Sequence, residues 1–133
     1  MAAFLEVITR HLPARAALLA LNTGSLEAQT DGDWRQTLLV DEIGRGIGWA
    51  QAQLATFEPS GDYVWILDDD NIACRPALVT ELKKIVAEHD PDVIMVRTDR
   101  LYNGVIPNDY FWQRTPELNR IDAACAIVRR ATW

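Results

Sequence analysis

Asp68, Asp69 and Asp70 stand side by side directly after an unbroken apolar run, Tyr63-Val64-Trp65-Ile66-Leu67. Three adjacent carboxylates repel one another and are costly to hold together, so a positive partner or bulk water must compensate. If the extended backbone of the run continues through them, side chains two apart share a face. Asp68 and Asp70 then converge, while Asp69 points the opposite way and is expected to tolerate Asn. Two carboxylates converging on one point suit a hard, oxygen-seeking cation, magnesium or manganese. Such an ion completes its shell with waters and substrate phosphates, and it assists the departure of a phosphate or diphosphate. The competing reading is a solvated turn whose acids cap the helix that follows.

Other polar residues sit at similar places. Thr9-Arg10 closes a short β-branched run beginning at Phe4, Asp41-Glu42 follows Leu38-Leu39-Val40, and Arg97-Thr98-Asp99 follows Val93-Ile94-Met95-Val96. Arg10 and Arg45 are ordinary surface charges or, beside acids at a ligand edge, cations that help hold a diphosphate. Gly44-Arg45-Gly46-Ile47-Gly48 lets backbone approach a ligand or makes a tight turn, and its spacing is not the dinucleotide fingerprint. His11 and His89 read as surface residues at element ends, with no nucleophile beside them. Trp34, Trp49 and Trp65 read as core, Trp112 as packing down a polar loop, and Trp133 as ordered by a neighbouring chain.

The elements that must position these residues follow from periodicity. Apolar runs bounded by turn signals predict strands near Phe4–Thr9, Leu38–Val40 (led into from Trp34), Tyr63–Leu67, Val93–Val96 and Ile121–Arg130. Pro13 opens a helix over Ala14–Gln29 that Gly24 either interrupts or divides. Ile47, Ala50, Leu54 and Phe57 fall at helical spacing, and Leu78, Val79, Leu82, Ile85 and Val86 form the clearest helical stripe. Tyr102-Asn103-Gly104-Val105 carries a hairpin signal. Pro107 to Asn119 reads as a long surface loop. Alternating strands and helices predict an α/β domain with a mainly parallel sheet, whose strand ends share one edge where ligands bind.

Composition narrows the classes. A chain of 133 residues with 49% hydrophobic and 24% charged residues is expected to form one globular domain. Its net charge of −6 argues against nucleic-acid binding, which needs clustered Lys and Arg. Cys74 and Cys125 are too few for a disulfide framework or a zinc site and are expected to be small, partly buried apolar residues. With no signal-peptide pattern and no apolar stretch near the ~20 residues of a membrane span, a soluble, cytoplasmic protein is expected.

Leu67-Asp68-Asp69-Asp70, preceded by Asp62-Tyr63-Val64-Trp65-Ile66, resembles the acid-motif strand of GT-A fold glycosyltransferases of the family-2 type. Leu38-Leu39-Val40-Asp41 resembles their second strand, and the likeness covers residues 4 to about 130. The resemblance implies a Rossmann-like, three-layer α/β architecture over residues 1–133, in a compact or C-terminally truncated form. It implies metal-dependent transfer of a sugar from a UDP- or GDP-linked donor to an acceptor that the sequence does not name. Asp68 and Asp70 would hold Mn2+ or Mg2+, with Asp41 facing the base and Thr9, Arg10, Arg45 and Asp68 bordering the nucleotide. The family's Glu-Asp base pair has no counterpart after the strand corresponding to Ile121–Val128, nor is there a C-terminal metal-ligand His. Asp122 is the candidate catalytic residue in their place.

Two further readings remain open. Asp41-Glu42 and Asp68 at neighbouring strand ends also fit a receiver-like phosphoacceptor domain, although Lys83 and Lys84 lie inside a helix rather than at a later strand end. A non-catalytic remnant that self-associates through an exposed sheet edge or apolar patch is the third, and homo-oligomerisation is expected on that reading.

Overall fold

The computed structural model describes residues 2–99, 104–117 and 121–133. Strand β1 (Leu5–His11) pairs in parallel with strand β2 (Trp34–Val40), from Leu5 against Trp34 to His11 against Val40. Between them run a 3-10 turn at Pro13–Arg15 and helix α1 (Ala16–Glu27). Gly24 lies inside α1 without breaking it. Glycine in a helix interior costs about 1 kcal/mol, and tertiary hydrogen bonds made by Asn22 and Ser25 on either side offset that cost.

Helix α2 (Ile47–Thr56) leads to strand β3 (Tyr63–Ile66), parallel to the other side of β1, and helix α3 (Leu78–His89) leads to strand β4 (Val93–Met95). A second, two-stranded sheet pairs β5 (Thr98–Asp99) with β6 (Val105–Ile106). Thr98-Asp99 therefore leaves the edge where it was expected. Val105-Ile106, on the downstream side of the predicted hairpin, pairs with Thr98-Asp99, while Tyr102 and Asn103 lie outside the described residues. The stretch predicted as a loop contains helix α4 (Asp109–Trp112), whose first turn is capped by Asn108 accepting from the Phe111 N–H.

The last strand departs furthest from expectation. Strand β7 is confined to Ala126–Arg129, because Asp122 caps a 3-10 turn at Ala123–Cys125 by accepting from the Ala124 N–H. It lies antiparallel between β3 and β4, giving the order β2-β1-β3-β7-β4. The sheet is mainly parallel: β1 to β4 share one direction and only β7 opposes them.

One buried cluster gathers Leu5, Val7, Trp65, Leu67, Leu82 and Ile127 between the sheet and helices α1 and α3. The Trp65 indole donates to the Ala124 carbonyl at 2.8 Å. Trp34 packs at the cluster's edge, Cys125 is buried and Cys74 is exposed, unlike its expected burial. Trp133 needs no neighbouring chain: its indole donates to the Phe57 carbonyl. Among the described residues no helix is long and apolar enough to cross a membrane.

Beneath β1 lies a fully buried carboxylate, Glu6. Its oxygens accept from Arg35, Thr37 and the backbone N–H groups of Ser60 and Gly61, at 2.6 to 2.9 Å. Burial pushes its pKa up, but these donors outweigh burial and leave it below the ordinary value. Gly61 is required there, since a Cβ would stand 2.6 Å from the Glu6 Cβ. The contact joins β1, β2 and the approach to β3, fixing which residues reach the far edge.

Candidate functional site

At that edge the ends of β1, β2 and β3 lie together, and the β1–β3 ladder continues beyond Ile66. The Leu67 N–H donates to Ile8, and the Asp69 N–H to Arg10. Alternation therefore persists into the acids. Tyr63, Trp65, Leu67 and Asp69 are all buried on one face, whereas Asp68 turns to the other.

Asp68 meets Arg10 in a two-pronged pair, Nε to Oδ1 at 2.6 Å and a terminal nitrogen to Oδ2 at 2.5 Å. Hydrogen bonding to Asp68 raises the Arg10 pKa, and this fork geometry is the strong form of a guanidinium–carboxylate contact. Asp69 points away from Asp68 as alternation requires, but inward rather than to solvent. Its side chain is 1% exposed and accepts from the Leu12 N–H, from Arg15 and from His11 Nδ1 at 2.9 Å. Burial pushes its pKa up; the Leu12 amide, His11 and Arg15 together outweigh burial and lower it. Facing away from the ligand edge here means facing the protein, so a cost replaces tolerance as the expected outcome of Asn at Asp69. His11 is likewise no surface residue.

Asp70 is the open member of the triplet. Its side chain is 50% exposed, 3.5 Å from Arg15, and accepts from the Asn71 amide.

Across the edge, the turn after β2 wraps Asp41. Gly44 and Gly46 adopt positive φ, 71° and 91°, which lets the backbone curl its N–H groups around the carboxylate. The Gly46 N–H donates to Oδ2 at 3.0 Å. Hydrogen bonding from the Arg45 backbone, opposed by burial and joined by Gly46, Ile43 and Gly44, lowers the Asp41 pKa. Even so, the buried Oδ1 has no partner at hydrogen-bond geometry. The Arg45 guanidinium lies over the Trp49 ring at 5.1 Å. Trp49 is therefore a wall of the site rather than core.

Between this turn and the acids lies a cleft of about 230 Å3, lined by Arg10, His11, Asp41, Trp49 and Asp68 among others. Of the residues singled out in the sequence, Arg10, Asp41 and Asp68 face it directly. Thr9 is buried beneath it, bonded to Gln36; Arg45 backs its Trp49 wall; Asp70 stands beside it. Asp122 is not among the cleft's lining and engages its own turn. Sequence reasoning missed His11, Arg15, Asn22 and Gln36. The available signal was a polar Asn22 directly after the apolar stretch Ala16–Leu21, and a His two residues beyond Thr9 on the same strand face.

The donor atoms of Asp68 and Asp70 suit a hard divalent cation, but their present partners compete with one. Both Asp68 oxygens are taken by Arg10, and among the described residues no three His, Cys, Asp or Glu side chains converge on a metal position. Charge leaves room for a cation nonetheless: the three carboxylates of the acid loop face two guanidiniums, Arg10 and Arg15.

No family model and no curated protein matches this chain. Its fold does match solved structures of TarS from S. aureus, a glycosyltransferase. The structure of TarS 1-349 superposes with a TM-score of 0.66 at 14% identity, over 98% of this chain and 48% of that one. The structure of TarS 1-349 in complex with UDP gives 0.68 at 15%, over 98% and 47%. A third TarS structure gives 0.67 at 14%, over 98% and 29%. The fold is Rossmann-like α/β of the GT-A type, with a mainly parallel sheet. The chain spans less than half the length of these structures.

Proposed function

We propose that this chain binds a nucleoside-diphosphate sugar in the cleft, as the donor-binding part of a glycosyl transfer. The observation that carries the reading is the position of the cleft. It lies beyond the carboxyl ends of parallel strands, with Asp41 on one side and the Arg10–Asp68 pair on the other. A fold shared with a structure in complex with UDP supports a nucleoside diphosphate as the nucleotide part, with uridine the first base to test and guanosine the second.

Each side chain has a task in this reading. The Asp41 carboxylate, which lines the cleft, would face the nucleotide's base, and the flat Trp49 wall would give the base apolar contact. Arg10 and Arg15 supply positive charge at the diphosphate, with Thr9 supporting the floor from below. Manganese or magnesium enters the proposal as a co-ligand held by Asp68 and Asp70, and it would neutralise charge on the leaving diphosphate. Because Arg10 occupies Asp68, the cation alone is expected to bind weakly and to bind better with the nucleotide. No residue is assigned as base, since Asp122 is engaged in its own turn.

The receiver-like alternative loses its electrophilic partner. Lys83 pairs with Asp31 and Asp33, at the opposite edge of the sheet where β2 begins.

Calorimetric titration with UDP and GDP, with and without manganese, tests the reading. At least one should bind, more tightly with manganese, and Asp41→Ala or Asp70→Ala should weaken it about tenfold, a loss of ~1.4 kcal/mol. Absence of manganese-dependent binding to either nucleotide, with Asp70→Ala indistinguishable from the parent, would sink it.

A further inference from the structure

Helix α1 buries a polar residue, Asn22, one turn before Leu26 on its inward face. Asn22 is fully buried, while Leu18 and Leu21 of the same helix are exposed. A buried amide is costly unless every donor and acceptor is used, and those of Asn22 are. Its two N–H groups donate to the carbonyls of Asp68 at 2.9 Å and Asn71 at 2.8 Å, the two ends of the acid loop. Its Oδ1 accepts from Gln36 at 2.6 Å, and Gln36 also donates to Thr9 at 2.8 Å. Gln36 Oε1 in turn accepts from the Thr23 hydroxyl.

The polarity of this chain is forced from one end. Two backbone carbonyls can only accept, so the Asn22 group facing them must be the NH2, which leaves Oδ1 for Gln36. The Gln36 NH2 must then face Asn22 and Thr9, and its oxygen takes the Thr23 proton. The network therefore has one satisfied orientation.

We propose that Asn22 is the positioning residue of the acid loop: by drawing the Asp68 and Asn71 carbonyls inward, it holds the loop so that the Asp68 side chain faces the cleft and Asp70 stands open beside it. Through Gln36 it locks the loop to Thr9 at the end of β1. Asn22 touches no ligand. Its importance for binding rests on the nucleotide-sugar reading above, whereas its hold on the loop does not.

Two measurements on the full chain separate these parts. Hydrogen exchange reads the Asp69 and Asn71 amides, which donate within and beside the loop to Arg10 and Asp68. In Asn22→Ala both should exchange about tenfold faster or more, while β1–β2 amides keep their protection. In Leu26→Val, a core change in the same helix without a hydrogen bond to lose, the loop amides should be unmoved. Calorimetry with UDP and GDP plus manganese should then show affinity reduced about tenfold in Asn22→Ala and within about twofold of the parent in Leu26→Val. Unchanged loop exchange in Asn22→Ala, or equal acceleration in both variants, overturns the positioning role. Faster loop exchange in Asn22→Ala alone supports it. If that result comes with a parent that binds neither nucleotide, the nucleotide-sugar reading fails and the positioning of the loop stands.

Discussion

Asp69 carries the sharpest prediction at the residue scale. A charged carboxylate with its side chain 1% exposed, surrounded by Leu12, His11 and Arg15, loses an acceptor for a donor when it becomes Asn. The new NH2 must face the Leu12 N–H or a nitrogen of His11 or Arg15. Asp69→Asn is expected to cost about 1–3 kcal/mol, the penalty for a buried group left unsatisfied, measured by urea denaturation. Asp70→Asn, half exposed, should stay within about 0.5 kcal/mol of the parent. On the proposed nucleotide-sugar reading the two variants reverse roles in binding, and Asp70→Asn is the one expected to weaken it. Alternation along Tyr63–Asp69 was legible in the sequence; that the inward face continues beneath the acids was not. It depends on His11 and Arg15, which reach Asp69 from more than fifty positions away in the chain.

At the scale of elements, β1 to β4 and the three long helices could be read from runs and stripes because local apolar patterning decides them. Strand β7 could not be placed. Its residues are small and apolar, and insertion between β3 and β4 is settled by pairing partners, Val64 with Val128 and Ile94 with Ile127. The inward face of α1 was equally hidden, since the exposed Leu18 and Leu21 look like a core stripe and the buried Asn22 looks like a blemish. The joint between β1 and β3 is tighter than either strand alone suggests. Gly61→Ala would force a Cβ to 2.6 Å from the Glu6 Cβ and 2.9 Å from its backbone nitrogen, so the strands must part. Thermal melting should register a destabilisation of about 1–3 kcal/mol for this single methyl.

For the whole molecule, the depressed carboxylates set the pH response. Glu6, Asp69 and Asp41 all have folded pKa values below their ordinary ones. Each binds its proton more readily when unfolded, so its contribution is complete above the unfolded value and is lost as pH falls through the folded one. Asp31 and Asp33 act in the same sense beside Lys83 but are exposed enough for solvent to blunt them. Stability should therefore hold from neutrality down to about pH 5 and decline below about pH 4, where ordinary carboxylates titrate. Denaturation midpoints across that range check it, and a Glu6→Gln variant should show a shallower decline. The central place of β7 has a further consequence, in the order of synthesis. Residues 5–66 can assemble β2, β1 and β3 as soon as they leave the ribosome, but β4, complete by residue 95, has no partner in the five-stranded sheet until residues 126–129 emerge. During that interval the outer edge of β3 is an open template, and whatever shields it governs how much newly made chain escapes aggregation.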